Sequence, residues 1–435
     1  MGRRAWMIGA TAVVSMLVLA SAAGTSDHTA AEPRGSTTPP PTPSATSAPR
    51  PAATTTTEDA PPTTDAPETT AGATTTSTST TTTTTSTTVP ATTTTTLSLD
   101  RPFNAVAFDA VIAAATVDVG DLSAGVAVLR NGETVHTAAF GMENPFEARA
   151  ATVTTQFRIA SISKMFTAVA IMQLVDDGSI DLDGSFTDQL GLRGPFNDPR
   201  VGTVTVRQLL SHTSGFTASH GIFFGHGVDT WENAANDAIG QVLKFDPGTA
   251  FQYSNTNFCL LGMLLESVTD QPFETAIRER VLEPIGIHAH LAPTLDTAIG
   301  DALHPSVPGR NYMEALGPAG GWVTSPLDIA TLAAALRTGS AAPPLLNRAT
   351  VDEMRVPVPV PVEVPLPTNG WSYGLGLILF ADGSWGHTGT IESTHAIVIN
   401  RPDGLTISVL VSGNAPSNTD RLVEVIDSAI AAAYS

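Results

Sequence analysis

A single cysteine, Cys259, is all the 435-residue chain carries, so no intramolecular disulfide and no cysteine-based zinc finger can form. Lysine is almost missing: only Lys164 and Lys244 stand beside 19 arginines. Charged residues make up 14% of the chain and aromatics 6%. Positive charge is short overall, with a net charge of −20, of which −18 falls on residues 98–435. A surface this acidic argues against nucleic acid and anionic lipid as partners. Large apolar side chains are scarce between residues 25 and 97, where 31 of 73 positions are Thr and 11 are Pro. Such a stretch cannot bury enough surface to offset its ordering entropy, so disorder is expected there.

What is present divides the chain into three parts. Residues 1–22 read as an export signal: Arg3 and Arg4, then an apolar run from Ala5 to Leu19, then the small-residue site Ala20-Ser21-Ala22. Left uncleaved, the segment would act as a membrane anchor, because its apolar run is nearly long enough to span a bilayer. Either way the expected location is secreted or at the cell envelope, outside the cytoplasm. Residues 23–97 form a linker whose Ser/Thr/Pro composition suits an extended stalk or spacer. Residues 98–435 are the folded domain.

Periodicity predicts the elements of that domain. Phe103 to Val117 has helical spacing. Ala124–Leu129 and Thr134–Phe140 flank Arg130-Asn131-Gly132, a hairpin signal. Helices are expected over Ser161–Asp177, Val204–Ser211, Glu232–Leu243, Asn257–Thr269, Pro272–Leu282 and Ser325–Arg337. The alternating Val and Pro of Val356–Pro367 fit neither helix nor central strand, so an extended connection is expected. Trp371–Phe380, Thr394–Asn400 and Thr406–Ser412 read as strands, and Ser417–Tyr434 as a closing helix. Strands near both ends with helices between them imply an α+β fold. An antiparallel sheet flanked by helices carries an inserted helical lobe, with the active site in the cleft between them.

The scarce lysines direct attention to chemistry. Lys164 lies three residues after Ser161 at the start of a helix, so the two side chains share a face. A serine hydroxyl needs a base to become a nucleophile, and a buried lysine with a lowered pKa can serve. The apolar flanks Phe157, Ile159, Ile162, Met165, Phe166 and Val169 suggest that this helix is buried, where an unpaired lysine would be costly. Ser163 is the competing serine, and helix geometry points it elsewhere. Tyr253-Ser254-Asn255 follows the turn Asp246-Pro247-Gly248; Tyr can relay a proton and Asn can bond an amide. Gly386-His387-Thr388-Gly389-Thr390 begins the late strands, where glycine lets another backbone approach closely and a substrate could add as a strand.

Taken together, these three motifs resemble the serine β-lactamase and penicillin-binding family, most closely the class C β-lactamases and D-alanyl-D-alanine carboxypeptidases. The flanks Leu209-Leu210-Ser211-His212-Thr213-Ser214-Gly215, Gly320-Gly321 and Tyr373-Gly374-Leu375-Gly376-Leu377 extend the resemblance over most of residues 103–430. By motif position the resemblance implies that Ser161 is the nucleophile, Lys164 its base, and Tyr253 the relay to the leaving group. The backbone N–H groups of Ser161 and Thr390 would form the oxyanion hole. His387, Thr388, Gly389 and Asn255 would orient the substrate's acyl amide or carboxylate. The implied reaction is acyl transfer through an acyl-enzyme on Ser161, with no cofactor and no metal.

The substrates it implies are a peptidoglycan stem peptide, a β-lactam or a small ester, the last making the chain an esterase. Related carboxypeptidases carry an Arg directly after Gly-Leu-Gly-Leu, where this chain has Ile378; a protonated His387 would then have to receive a substrate carboxylate in part. Two other readings stay open. One is a metal hydrolase built on His220, His226, His288, His290 and His304. The other is a penicillin-binding sensor or wall-binding domain without turnover.

Overall fold

The computed structural model describes residues 101–435 except 218–222, 225–229, 293, 295–297, 299, 307–310, 359–369 and 416–418. The expected export signal and Thr/Pro linker lie outside the described residues, as does most of the Val/Pro run.

An eight-stranded sheet carries the domain, and its strands come from both ends of the chain. Helix α1 (Ala105–Ala115) opens it, capped by the Asn104 side chain on the Ala107 N–H. Strands β1 (Ser123–Arg130) and β2 (Glu133–Asn144) follow, joined by Asn131 and Gly132, both at positive φ as a tight hairpin requires. Two short strands come next, β3 (Arg149–Ala150) and β4 (Phe157–Arg158). Helices α2 (Ser163–Asp176), α3 (Trp231–Ile239) and α4 (Asn255–Thr269) lead to β5 (Ala289–Leu291), β6 (Trp322–Thr324) and α5 (Pro326–Ala335). The chain then returns to the sheet through β7 (Ser372–Tyr373), β8 (Ile378–Leu379), β9 (Trp385–Ile391), β10 (Thr394–Asn400) and β11 (Leu405–Ser412), and ends in α6 (Thr419–Ala433).

The sheet order is β3-β2-β1-β11-β10-β9-β8-β7, with every pairing between these strands antiparallel. β1 meets β11 directly, Ser123 opposite Ser412. Helices cover both faces. Phe108 and Ile112 of α1 and Leu422, Ile426 and Ile430 of α6 bury one face with Val126, Ile397, Ile407 and Val409. On the other face α5 lies close, because Ala330 and Ala334 meet Ala127 and Leu129. Central strands buried on both faces lose clean alternation, and β10 and β11 are buried at every position. Two of their polar residues bond inward: Ser408 Oγ donates to the Pro326 carbonyl at 2.6 Å and Thr406 to Asn400 Oδ1 at 2.6 Å. The second, larger core is the helical lobe around α2 and α4, which includes Phe166, Phe258, Leu261 and Trp322. The α+β, two-lobed arrangement expected from the sequence is the one observed.

Of the differences from expectation, three follow. Trp371–Phe380 is not one strand but two, because Gly374-Leu375-Gly376 turns the chain. Gly376 has φ +72°, and a Cβ there would meet Ala168 Cβ at 2.4 Å. The helix expected over Pro272–Leu282 is a short helix, Phe273–Ile277, that widens into a π turn over Arg278–Leu282. The helix expected from Ser161 begins at Ser163, after a 3₁₀ turn over Ala160–Ile162.

Candidate active site

That 3₁₀ turn sets the position of Ser161. β4 pairs with β6, and the Ile159 N–H donates to the Trp322 carbonyl at 3.1 Å. The next residue, Ala160, sits at φ +46°, a left-handed conformation that costs a non-glycine residue of order 1 kcal/mol and clusters at functional sites. The kink leaves Ser161 half-buried at the head of a helix whose next residues are fully buried. Ser163 is consumed structurally: its Oγ accepts the Trp322 N–H at 3.2 Å.

Lys164 is completely buried, and among the described residues no carboxylate pairs with it. Its Nζ lies 2.8 Å from Asn255 Oδ1, 2.6 Å from the Ala319 carbonyl and 3.2 Å from Ser161 Oγ. Burial lowers its pKa to about 7. The partner set matters as much as that value. Asn255 Oδ1 and Ala319 O can only accept, so they take the two N–H donors of a neutral amine. The lone pair is then left toward the Ser161 hydroxyl, the arrangement a general base needs.

Tyr253 and Asn255 arrive on the N-terminal end of α4, which starts at Asn255 rather than Asn257. The Tyr253 ring centroid lies 4.9 Å from Lys164 Nζ. Burial pushes the Tyr253 phenol above its usual range, and a hydrogen bond with Ser161 opposes this. At neutral pH the lysine therefore gives up its proton far more readily than the tyrosine does. That ordering fits Lys164 as acceptor and Tyr253 as proton donor to a leaving group. Cys259 offers no rival nucleophile, because burial raises its thiol pKa.

β9 supplies the opposite side. β8 pairs only with Trp385 and Gly386, so among the described strands the segment from His387 onward pairs with β10 alone. Gly389 packs on the backbone just before the serine; a Cβ there would stand 2.2 Å from the Ile159 carbonyl oxygen. Thr390 is exposed and Thr388 half-buried on this segment.

His387 differs from its expected role as a carboxylate partner. It is 1% exposed; its Nδ1 lies 2.6 Å from the Thr388 carbonyl and its Nε2 2.9 Å from the Tyr373 hydroxyl. Those partners fix the tautomer: Nδ1–H donates and Nε2 accepts. Burial lowers its pKa to about 3, and the Lys164 charge adds to this. A neutral ring spent on two internal bonds does not present a cation. Ile378 is equally unavailable to a carboxylate, being buried in the core with Tyr373 and Phe251.

Sequence reasoning missed three contributors. The Ala319 carbonyl is a backbone group that composition cannot reveal. Tyr373 meets His387 through the register of β7, β8 and β9. His212 is fully buried at φ +59°, with its Nδ1 facing the Ser254 N–H at 3.2 Å and Asn257 Nδ2 at 3.1 Å. Its ring centroid lies 4.3 Å from that of Tyr253 and 4.8 Å from that of Tyr373, tilted against both, tying the tyrosines of the two sides together. The only available signal was its place in Leu209–Gly215, whose turn Ser211–Gly215 bonds to the segment before α4.

Among the described residues the histidines of the metal reading do not converge. His290 pairs with Asp301 at 3.2 Å, and His304 is buried between the Arg158 N–H and the Ser393 carbonyl. His220 and His226 lie outside the described residues. Among the described residues no group of three His, Cys, Asp or Glu could hold a metal ion.

Comparison with known proteins bears on the family and the fold. A family model described as Beta-lactamase matches residues 108–430. The chain belongs to the beta-lactamase family. Penicillin-binding protein 4 of Amycolatopsis lactamdurans is 32% identical over 165 residues, 38% of this chain and 43% of the relative. This beta-lactamase-family chain thus matches less than half the length of that relative. A solved D-stereospecific amidohydrolase from Streptomyces sp. is 26% identical and superposes with a TM-score of 0.59 over 74% of this chain and 98% of its own. The D-amino acid amidase from Ochrobactrum anthropi, solved with L-phenylalanine amide, shares the fold at 23% identity, with a TM-score of 0.63 over 76% and 99% of the two chains. Members of the family are serine hydrolases.

Proposed function

We propose that this chain is a serine hydrolase of small amides and esters that lack a free carboxylate on the leaving side. Ser161 attacks the acyl carbon as Lys164 takes its proton, and the C–O bond to Ser161 forms. The oxyanion sits against the Ser161 and Thr390 N–H groups. Tyr253 delivers a proton to the departing amine or alcohol as the scissile bond breaks, and the Lys164 ammonium returns one to Tyr253; a water that gives its proton to Lys164 then attacks the acyl carbon, the C–O bond to Ser161 breaks, and Ser161 takes the proton back as the acid leaves. The observation that carries this reading is the Lys164 environment: two acceptors for its N–H groups, and a serine hydroxyl for its lone pair. The choice of substrate rests on His387 and Ile378, neither of which offers a charge to a terminal carboxylate. We further propose that the enzyme is exported, from the basic, apolar and small-residue pattern of residues 1–22. A β-lactam opened at its amide falls within the same chemistry.

The test is a side-by-side turnover assay with a short-chain p-nitrophenyl ester, a D-amino acid amide, nitrocefin and a D-Ala-D-Ala peptide. The amide and ester should turn over faster than the peptide. A peptide turned over fastest would overturn the substrate assignment, and stable acylation with no release of any substrate would mark a sensor.

A further inference from the structure

The chain has few cations, yet four of its arginines gather at one place away from Ser161. Arg337, Arg348, Arg355 and Arg401 line a cleft of about 300 Å³ at the Trp385 end of β9. It shares no lining residue with the candidate active site. Two of the four are neutralised. Arg401 bonds Asp403 at 3.1 Å and Asp427 at 2.5 Å, and Arg348 meets Asp352 at 3.4 Å.

The other two are held in place with less neutralisation. Arg337 follows α5, half-buried, and its Nη1 donates to the Arg401 carbonyl at 2.9 Å. Among the described residues no carboxylate lies within ion-pair distance of it. Arg355 lies over the Trp385 indole, with Cζ 4.9 Å from the ring centroid, and among the described residues its one ion pair is a long one, to Asp352 at 3.9 Å. Among the described residues each contact fixes a guanidinium while leaving most of its five N–H donors unspent. Burial pushes the Arg337 pKa below its usual value; Asp403 opposes this and the Arg355 charge adds to it. Two like charges thus face one cleft whose only lining carboxylate among the described residues is Asp352, shared between Arg348 and Arg355.

A tetrahedral oxyanion resolves that arrangement. Guanidinium forks match phosphate oxygens in pairs, and a phosphate presents enough oxygens to engage two forks at different angles. A carboxylate fills one fork. The net charge of −20 repels anions at long range, but at physiological salt screening confines that field to about 8 Å. Inside the cleft the arginines dominate.

We propose that this cleft binds a phosphate group, held between Arg337 and Arg355 with Arg348 and Arg401 at its edge. The group could be a terminal monoester or a phosphate inside a diester chain, since both present paired oxygens.

The experiment is calorimetric titration of the whole chain with inorganic phosphate, glycerol phosphate, a glycerol phosphodiester and acetate. Phosphate should bind saturably and more tightly than acetate. Arg337→Gln should weaken it about tenfold, as should Arg355→Lys, which keeps the charge but loses the fork. Both variants should keep wild-type ester turnover. Should Arg337→Gln disturb the β10–β11 turn, Arg355→Lys decides, because that side chain is exposed. Tighter binding of the monoester identifies a terminal phosphate and tighter binding of the diester an internal one; either upholds the site. Absence of saturable phosphate binding, equal binding by the variants, or acetate binding as tightly as phosphate overturns it.

Discussion

On one side of Ser161 the chemistry is in side chains; on the other it is in backbone. The helical side presents Ser161, Lys164, Tyr253 and Asn255, whose functional atoms converge on one amine. The sheet side presents β9, where the residue nearest the serine turn is a glycine and the histidine is turned into internal bonds. The helical side is tuned by desolvation, the sheet side by close approach. A proton-transfer group needs a shifted pKa, which burial supplies. An oxyanion donor needs only correct placement, which a strand supplies through its own pairing.

The sharpest way to break that contrast is Ser161→Ala. Turnover should fall by on the order of 10⁴-fold or more, and the single fluorophosphonate adduct seen by intact-mass analysis should vanish. An adduct that persists would move the nucleophile elsewhere. Lys164→Arg comes next. Arginine keeps the charge but cannot act as a base, so the acylation rate in stopped-flow should drop by about 10²–10⁴-fold; near-normal rates would remove Lys164 from the mechanism.

Gly389→Ala probes the sheet side. Its Cβ would enter the Ile159 carbonyl, so β9 must retreat from the serine turn. The expected result is a loss of about 10²-fold in kcat, the order seen for one oxyanion donor. Chemical denaturation should show 1–3 kcal/mol of destabilisation.

The pH profile separates the sides directly. kcat/KM should rise with pH through about 7 as Lys164 loses its proton, and His387→Gln should leave that limb in place. Lys164 also sets a stability slope. The unfolded lysine holds its proton up to about 10.5, whereas the folded one releases it near 7. Between those values the unfolded state binds more protons, so folding stability rises with pH over that window, and the full penalty remains below 7. Urea unfolding at pH 6 and 9 should show this rise, and Lys164→Met should flatten it. The smallest effect belongs to Tyr373→Phe, which leaves His387 Nε2 without its donor and should cost about 1 kcal/mol.

Much of the helical side was legible because its signal is local. A rare lysine three residues after a serine, in an apolar helix, states both the pair and its burial. Tyr253 and Asn255 stood out only as part of a set. The sheet side was legible as glycine and strand, but not in its contacts. Nothing in His387 itself shows that Tyr373 fills its Nε2, because that meeting depends on Gly374 and Gly376 breaking one strand into two. The Ala160 kink was equally hidden, since no glycine or asparagine marks it.

The pairing of β1 with β11 has a kinetic consequence. Ser123 and Ser412 are neighbours in space with the entire helical lobe between them in sequence. The loop-closure entropy for so long a separation must be met before the central ladder rewards it. The N-terminal hairpin can form early, but it lacks its inner neighbour until the last strand has been synthesised. The domain should therefore fold slowly and only as a complete chain, and a truncation before Leu405 should leave β1 an open, aggregation-prone edge.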